Sequence, residues 1–295
     1  MISIIICSKK SDISTSLKEN IKDTIGVDYE IVVIDNSMNN YSIFSAYNKG
    51  WSKSKFPYLC FVHEDVLFKT IDWGKNLITH LTDKETGIIG IAGGKIMTRI
   101  PAHWWSVGYG YKNLIQHYKN KKTPRSEHFH NSSDARQPAI LLDGVFLSMR
   151  SELFNTIQFD EELTGFHGYD HDICVQSIMA CYSNYVVFDI LLEHFSDGDM
   201  NSQYYINLIK IYKKWEEHLP LFYTDIPGEV RINIGKTETK LLGKLIRRMS
   251  QTGFKTNEII RTAKSYVKLL NTQAAKKQLN FIRLKILFEK LFHSK

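Results

Sequence analysis

None of the 17 glycines of this chain stands in a GxGxxG or GxxxxGK[ST] pattern, which excludes both a dinucleotide fingerprint and a P-loop. No GxSxG occurs either, so there is no nucleophile elbow. The four cysteines, Cys7, Cys60, Cys174 and Cys181, form no CxxC and no zinc-ligand spacing. Cys7 and Cys60 fall in apolar runs, where a free thiol behaves as a small buried hydrophobe; the expectation is a reduced, cytoplasmic chain. No stretch reaches the ~20 apolar residues of a membrane-crossing helix. The start, MISIIICSKK, has too short an apolar run for a signal peptide and no basic segment before it. Internal repeats and low-complexity linkers are absent as well.

What is present suffices for a large core: 43% of 295 residues are hydrophobic and 12% aromatic, enough for one large α/β domain with an appendage or for two modest domains. The net charge of +7 is unevenly placed. From Lys236 onward 15 Lys and Arg face three acidic residues, Glu238, Glu258 and Glu289, so the first 235 residues carry a negative balance. The expected division is therefore a body over 1–235 and a basic, amphipathic helical tail over 236–295.

Continuous apolar runs at Ser3–Cys7, Tyr29–Asp35, Tyr58–His63 and Gly87–Ala92 alternate with helix-capable segments at 13–21, 41–52 and 71–81. That pattern predicts a mostly parallel sheet covered on both faces, whose ligands bind beyond the carboxyl ends of the strands. Gly93–Gln137 breaks the rhythm with Trp104, Trp105, several tyrosines and the His128/His130 pair, and reads as a functional or flexible loop. Regular structure resumes at 139–150, in a helix near Asp170, in a strand over 185–195 and in a helix over 202–218.

Several polar residues fall at the ligand edge of such a sheet. Asp35 follows IVVI, where it either accepts bonds from a base or ribose or closes an Asx turn or helix cap. His63-Glu64-Asp65 follows a buried strand; it is either an oxygen-rich metal loop or a solvated turn. His194 ends VVFDILLEHF as a metal ligand or a structural histidine. Asp170 and Asp172 open a helix. Acidic residues favour first turns for the dipole alone, and Asp170 is also a candidate cap; the chemical alternative is a general base for an attacking alcohol. Asp143-Gly144 interrupts an apolar run, either as a bulge or as a close backbone approach to a ligand.

In these segments the chain resembles the nucleotide-diphospho-sugar transferases of the GT-A (Rossmann-like) fold, in the glycosyltransferase family 2-like group. SIIICS, VVIDNS and AYNKG are similar to the nucleotide-binding half of that family, FVHEDV to its metal motif, LDGVFLSMR to its acceptor-side strand, FHGYDHD to the stretch with the catalytic base and LLEHFSDG to the later metal-binding histidine. The resemblance covers roughly 1–198. It implies an α/β GT-A fold and transfer of a sugar from a nucleoside-diphosphate donor to a hydroxyl of a saccharide or lipid-linked glycan, with inversion. It further implies Mn2+ or Mg2+ on Asp65 and His194, Asp170 as base, donor contacts from Ser8, Asp35, Asn48, Asp65, Asp143 and Gly144, and acceptor contacts from Tyr169 and Asp172. Two positions depart from the pattern: a histidine stands at the first acidic position of the metal motif, and Tyr169 replaces the glutamate before the base.

A sugar nucleotidyltransferase shares the sheet type, but the glycine-rich loop it needs after the first strand is CSKKSD here. A binding module with a decayed site is the other alternative. The basic tail suits either an anionic membrane surface near a lipid-linked acceptor or a helix pair within the chain or a dimer. Nucleic acid is not an expected partner, because the body is acidic and carries no nucleic-acid-binding motif.

Overall fold

The computed structural model describes residues 1–119, 121–129, 134–196, 198–277 and 279–280. Strand β1 (Ile2–Ser8) shows no alternation because both of its faces are covered: Ile2, Ile4, Ile5 and Ile6 have no exposed surface. Helix α1 (Thr15–Thr24) begins at Ser14, whose hydroxyl accepts the Leu17 N–H at 3.2 Å, satisfying one orphan donor of the first turn. After β2 (Tyr29–Asp35), α2 (Ile43–Lys53) begins in the same way, with Ser42 accepting from Ser45 N–H. Next comes β3 (Tyr58–Val62). Strands β2, β1 and β3 pair in parallel, with Ser8 opposite Asp35, so the carboxyl ends share one edge.

The chain continues through β4 (Val66–Phe68), α3 (Trp73–Thr82), β5 (Thr86–Gly90), β6 (Ala92–Gly94), β7 (Ile96–Met97), β8 (Gly110–Gln116), β9 (Arg125–Phe129), β10 (Arg136–Ala139), β11 (Leu141–Leu142), β12 (Phe146–Arg150), α4 (Tyr169–Met179), β13 (Ser183–Val187) and β14 (Leu192–His194). The main sheet has the order β10-β13-β5-β12-β3-β1-β2. Its parallel character holds for β2-β1-β3 and for β5-β13, whereas β12 lies antiparallel between β3 and β5, and β10 antiparallel on β13.

A second sheet, β11-β6-β8-β14-β4 with β9 on β8, corrects two expectations. The segment 93–137 supplies several of its strands. Its mixed composition follows from half-buried positions, since Lys112, Leu114 and Gln116 alternate along β8 and all face one cleft. The single strand expected over 185–195 is two strands in two sheets, β13 and β14. The chain passes from the first sheet to the second at β3–β4, β5–β6, β10–β11 and β13–β14, and two of these crossings, at His63–Asp65 and between β13 and β14, concern the site. Strand β14 pairs antiparallel with β4, His194 opposite Val66, and Phe195 N–H reaches the Asp65 carbonyl at 2.9 Å. This register brings the two crossings side by side.

Beyond α5 (Ser202–Lys214) and β15 (Leu221–Phe222), which pairs with β7, come α6 (Gly228–Gln251) and α7 (Thr256–Leu270). The expected division at 235/236 lies inside α6. The apolar side of α6 (Leu241, Leu242, Leu245, Met249) packs on that of α7 (Ile259, Ala263, Val267, Leu270) and on Ile100, Ala102 and Tyr205 of the body. Over the described residues the amphipathic faces are therefore occupied within the chain. Glu238, with no exposed surface, accepts from Arg99 backbone N–H at 2.8 Å and from its guanidinium through both oxygens. Glu238→Ala leaves the partly buried Arg99 guanidinium and its backbone N–H without their acceptor, and should cost about 3 kcal/mol. Urea unfolding monitored by circular dichroism measures this, and an unchanged midpoint would show that the pair does not anchor α6.

Candidate active site

Where the two sheets meet, His63, Asp65 and His194 each offer one ligand atom within 4.8 Å of the others. The Asp65 carboxylate lies 3.5 Å from His194 Nε2 and 3.9 Å from His63 Nδ1. Hydrogen bonds behind the rings fix which nitrogens face inward. The Tyr169 hydroxyl donates to the Gly144 carbonyl at 2.8 Å, so it accepts from His63 Nε2–H, also at 2.8 Å. Gln116 uses its NH2 group on the His117 and Ser196 carbonyls, which turns its oxygen toward His194 Nδ1–H at 3.1 Å. Both imidazoles consequently aim an unprotonated nitrogen at the carboxylate. Burial pushes the Asp65 carboxyl up; a hydrogen bond from Ser196 and, whenever His194 also takes a proton at Nε2, the bond and charge of that imidazolium outweigh it and hold the group below the usual carboxylate range.

The helix carrying Asp170 starts at Gly168, whose φ of 89° suits glycine. No side chain caps it, so Asp170 is not the cap. Its Oδ2 accepts from Gly144 N–H at 3.2 Å, and its Oδ1 from His171 N–H at 2.9 Å and His171 Nδ1 at 3.2 Å. Burial raises the Asp170 carboxyl, yet the charge and hydrogen bonds of His171 prevail and lower it; burial likewise opposes the His171 imidazolium, and Asp170 raises it. Asp143 lies alongside, accepting from Trp104 Nε1–H at 3.1 Å and Val145 N–H at 3.1 Å. Asp170, Asp143, His63 and His194 all line one cleft of about 410 Å³, together with Trp104, Lys112 and Gln116.

The other expected site residues do not line this cleft. Asp172 has no exposed surface and is bound to Lys214, Trp215 and Gln176 on the opposite side of α4, not in the cleft. Tyr169 lies beneath the site, buried against Tyr47 and Phe44, and reaches it through His63 and the Gly144 carbonyl. Asn48 ties α2 to the Phe159 backbone and Glu161. Gly144 is required by Tyr169, whose hydroxyl would lie 2.3 Å from an added Cβ, rather than by a ligand. Ser8 is buried and donates to Glu64 Oε2 at 2.6 Å, a link the sequence did not reveal. Asp35 is exposed at the strand end, where it closes an Asx turn to Ser37 N–H at 2.9 Å. His128 bonds Asn113 at 2.8 Å outside the cleft, and His130 lies outside the described residues.

A mixed sheet joined to a smaller one, with a histidine–carboxylate–histidine group at the junction, has the architecture of GT-A glycosyltransferases. Residues 3–195 match the model of a family described as "Glycosyltransferase like family", and the chain belongs to it. Among solved structures it is similar to GalNAc-T7 with UDP, GalNAc and Mn2+, at 12% identity and a TM-score of 0.51, covering 79% of this chain and 54% of that one. It thus spans about half the length of that neighbour, and the likeness shows the shared fold. It is also similar to S. aureus TarS 1-349, at 12% identity and a TM-score of 0.43, covering 96% of this chain and 89% of that one. No curated protein is matched.

Proposed function

We propose that this glycosyltransferase moves a sugar from a nucleoside diphosphate to a hydroxyl acceptor in a single, inverting displacement, assisted by a divalent cation. The observation that carries the reading is the convergence of three lone-pair donors, His63 Nδ1, Asp65 and His194 Nε2, with no proton directed between the rings. Two nitrogens and one carboxylate suit Mn2+ better than Mg2+, which favours oxygen alone. His63 therefore joins Asp65 and His194 as a ligand. A bound cation would neutralise charge growing on the departing diphosphate.

Asp170 supplies the base. Its Oδ1 already accepts two hydrogen bonds and its Oδ2 one, so Oδ2 keeps a lone pair for the proton of the attacking hydroxyl. Gly144 N–H and His171 hold the carboxylate still, which reduces reorganisation as the proton arrives. Asp35 and Ser8, paired at the end of β1 and β2, border the nucleoside. UDP and GDP with Mn2+ should raise the melting temperature, since saturation to a hundred times Kd is worth about 2.7 kcal/mol; no shift with any nucleotide would count against the reading.

Tyr169 is a positioning residue in this scheme. Tyr169→Phe frees His63 to rotate, and Mn2+ affinity in the presence of UDP should fall by about tenfold. Calorimetric titration of Mn2+ measures it, and unchanged affinity would remove the hydroxyl from any role in setting the site.

A further inference from the structure

Beside the cleft lies a second cavity of about 380 Å³, and His103 and Trp105 line both. Its other wall is α6, with Leu241 and Leu245 buried and Lys244, Arg247 and Arg248 exposed around them. Among the described residues no carboxylate pairs with these three cations; Arg248 touches only the Gln251 side-chain oxygen, at 3.4 Å. The nearby Arg99 and Glu238 neutralise one another. Helix α6 thus presents three uncompensated positive charges to a partly open cavity, and guanidinium groups bind phosphate and carboxylate bidentately.

The shared wall is aromatic. The His103 ring stacks on Trp105 at 4.4 Å with an interplanar angle of 4° and lies 5.1 Å from Tyr204, whose hydroxyl meets His103 Nδ1 at 2.5 Å. Trp105 is 45% exposed, a large flat surface suited to the apolar face of a sugar ring. His103 feels burial first, then the positive charges of His171 and Arg248, and its imidazole is pushed down to about 4. It is therefore neutral at the junction, and Asp170 lines the same cleft as His63 and His103.

Resting on the transferase reading above, we infer that this cavity is the subsite for an anionic acceptor. A saccharide would lie on Trp105 with a phosphodiester or uronate group held by Lys244, Arg247 and Arg248, and with its reactive hydroxyl reaching Asp170 past His103. The negative group sits one or more sugar units from the hydroxyl, because α6 contributes to the second cavity but not to the cleft.

The test uses the full chain and soluble probes: a hyaluronan hexasaccharide for the uronate, a glycerol-phosphate oligomer for the phosphodiester, maltohexaose as the neutral control, and phosphatidylglycerol vesicles. At least one of the two anionic probes should bind more tightly than maltohexaose, and the stronger of the two names the group. Replacing Lys244, Arg247 and Arg248 together by Glu should weaken that binding by about tenfold or more, and raised salt should weaken it in the wild type. The triple Gln variant keeps the packing stems and should lose most of the same affinity. Equal binding of neutral and charged probes, binding of none of them, unchanged affinity in the variants, or capture of vesicles alone would each overturn the inference. UDP binding with Mn2+ is measured in the same samples. If the wild type fails to bind UDP, the transferase reading falls; if UDP binds normally but the charge preference is missing, only this subsite falls.

Discussion

Asp170→Asn is expected to lower sugar transfer by about 10²–10⁴-fold, with donor affinity unchanged, because the amide keeps the shape of the carboxylate but cannot take the proton. The single amide oxygen can serve Gly144 N–H or His171 N–H but not both, so the melting temperature is measured with the rate to separate the loss of the base from a loss of stability. Single-turnover transfer and calorimetric binding of the nucleotide, measured side by side, separate the two. Near-normal transfer would remove Asp170 from the mechanism. Asp172→Asn is the matched control: that residue is bound to Lys214 and Trp215 away from the cleft, so its loss should lower the melting temperature and leave transfer on folded protein nearly intact. The acid dependence has a defined sign. His171 outweighs burial and holds Asp170 below its ordinary range, so the base is charged at neutral pH, and the loss of rate due to its own protonation lies on the acid side of the ordinary carboxylate range.

Asp65→Ala is expected to reduce Mn2+-dependent affinity for a nucleoside diphosphate by about a hundredfold or more, since even outer-shell partners of a metal ligand are worth 10–100-fold. Asp65 brings the only negative charge among the three ligand residues. His63→Ala and His194→Ala remove neutral ligands and should cost less. Asp65 is half-exposed, so the substitution should leave the melting temperature of the metal-free protein close to that of the wild type. Calorimetry with UDP, with and without Mn2+, reads the result, and unchanged binding in Asp65→Ala would take the residue out of the site.

The parallel core was legible because its strands are unbroken apolar runs. ISIIICS is buried almost throughout and YEIVVID at Val32 and Ile34, and serine-capped helices follow both, which is the sequence signal such strands leave. Asp65 and His194 were legible as strand-end residues, although their meeting depends on the pairing of β14 with β4, across more than a hundred residues. The second sheet was not legible, since strands of two or three residues such as β6, β11 and β14 show no period.

The roles of Tyr169 and Gly144 were hidden for a related reason: the tyrosine hydroxyl fills the space an alanine at 144 would need, and nothing local encodes that contact. Asp172 was misplaced needlessly. Two residues along a helix turn the side chain by about 200°, so Asp170 and Asp172 cannot both face one cleft.

The central claim is cleavage of a nucleotide sugar at the anomeric carbon, and one NMR experiment tests it most directly. The protein is incubated with UDP- and GDP-sugars in Mn2+ or in excess chelator, without acceptor, and the first-formed sugar is observed before mutarotation. The account predicts slow, Mn2+-dependent release of nucleoside diphosphate together with sugar of inverted anomeric configuration, and the same release lost in Asp65→Ala. Retained configuration would contradict the single displacement, and failure to release nucleoside diphosphate from any donor would contradict the assignment as a working transferase.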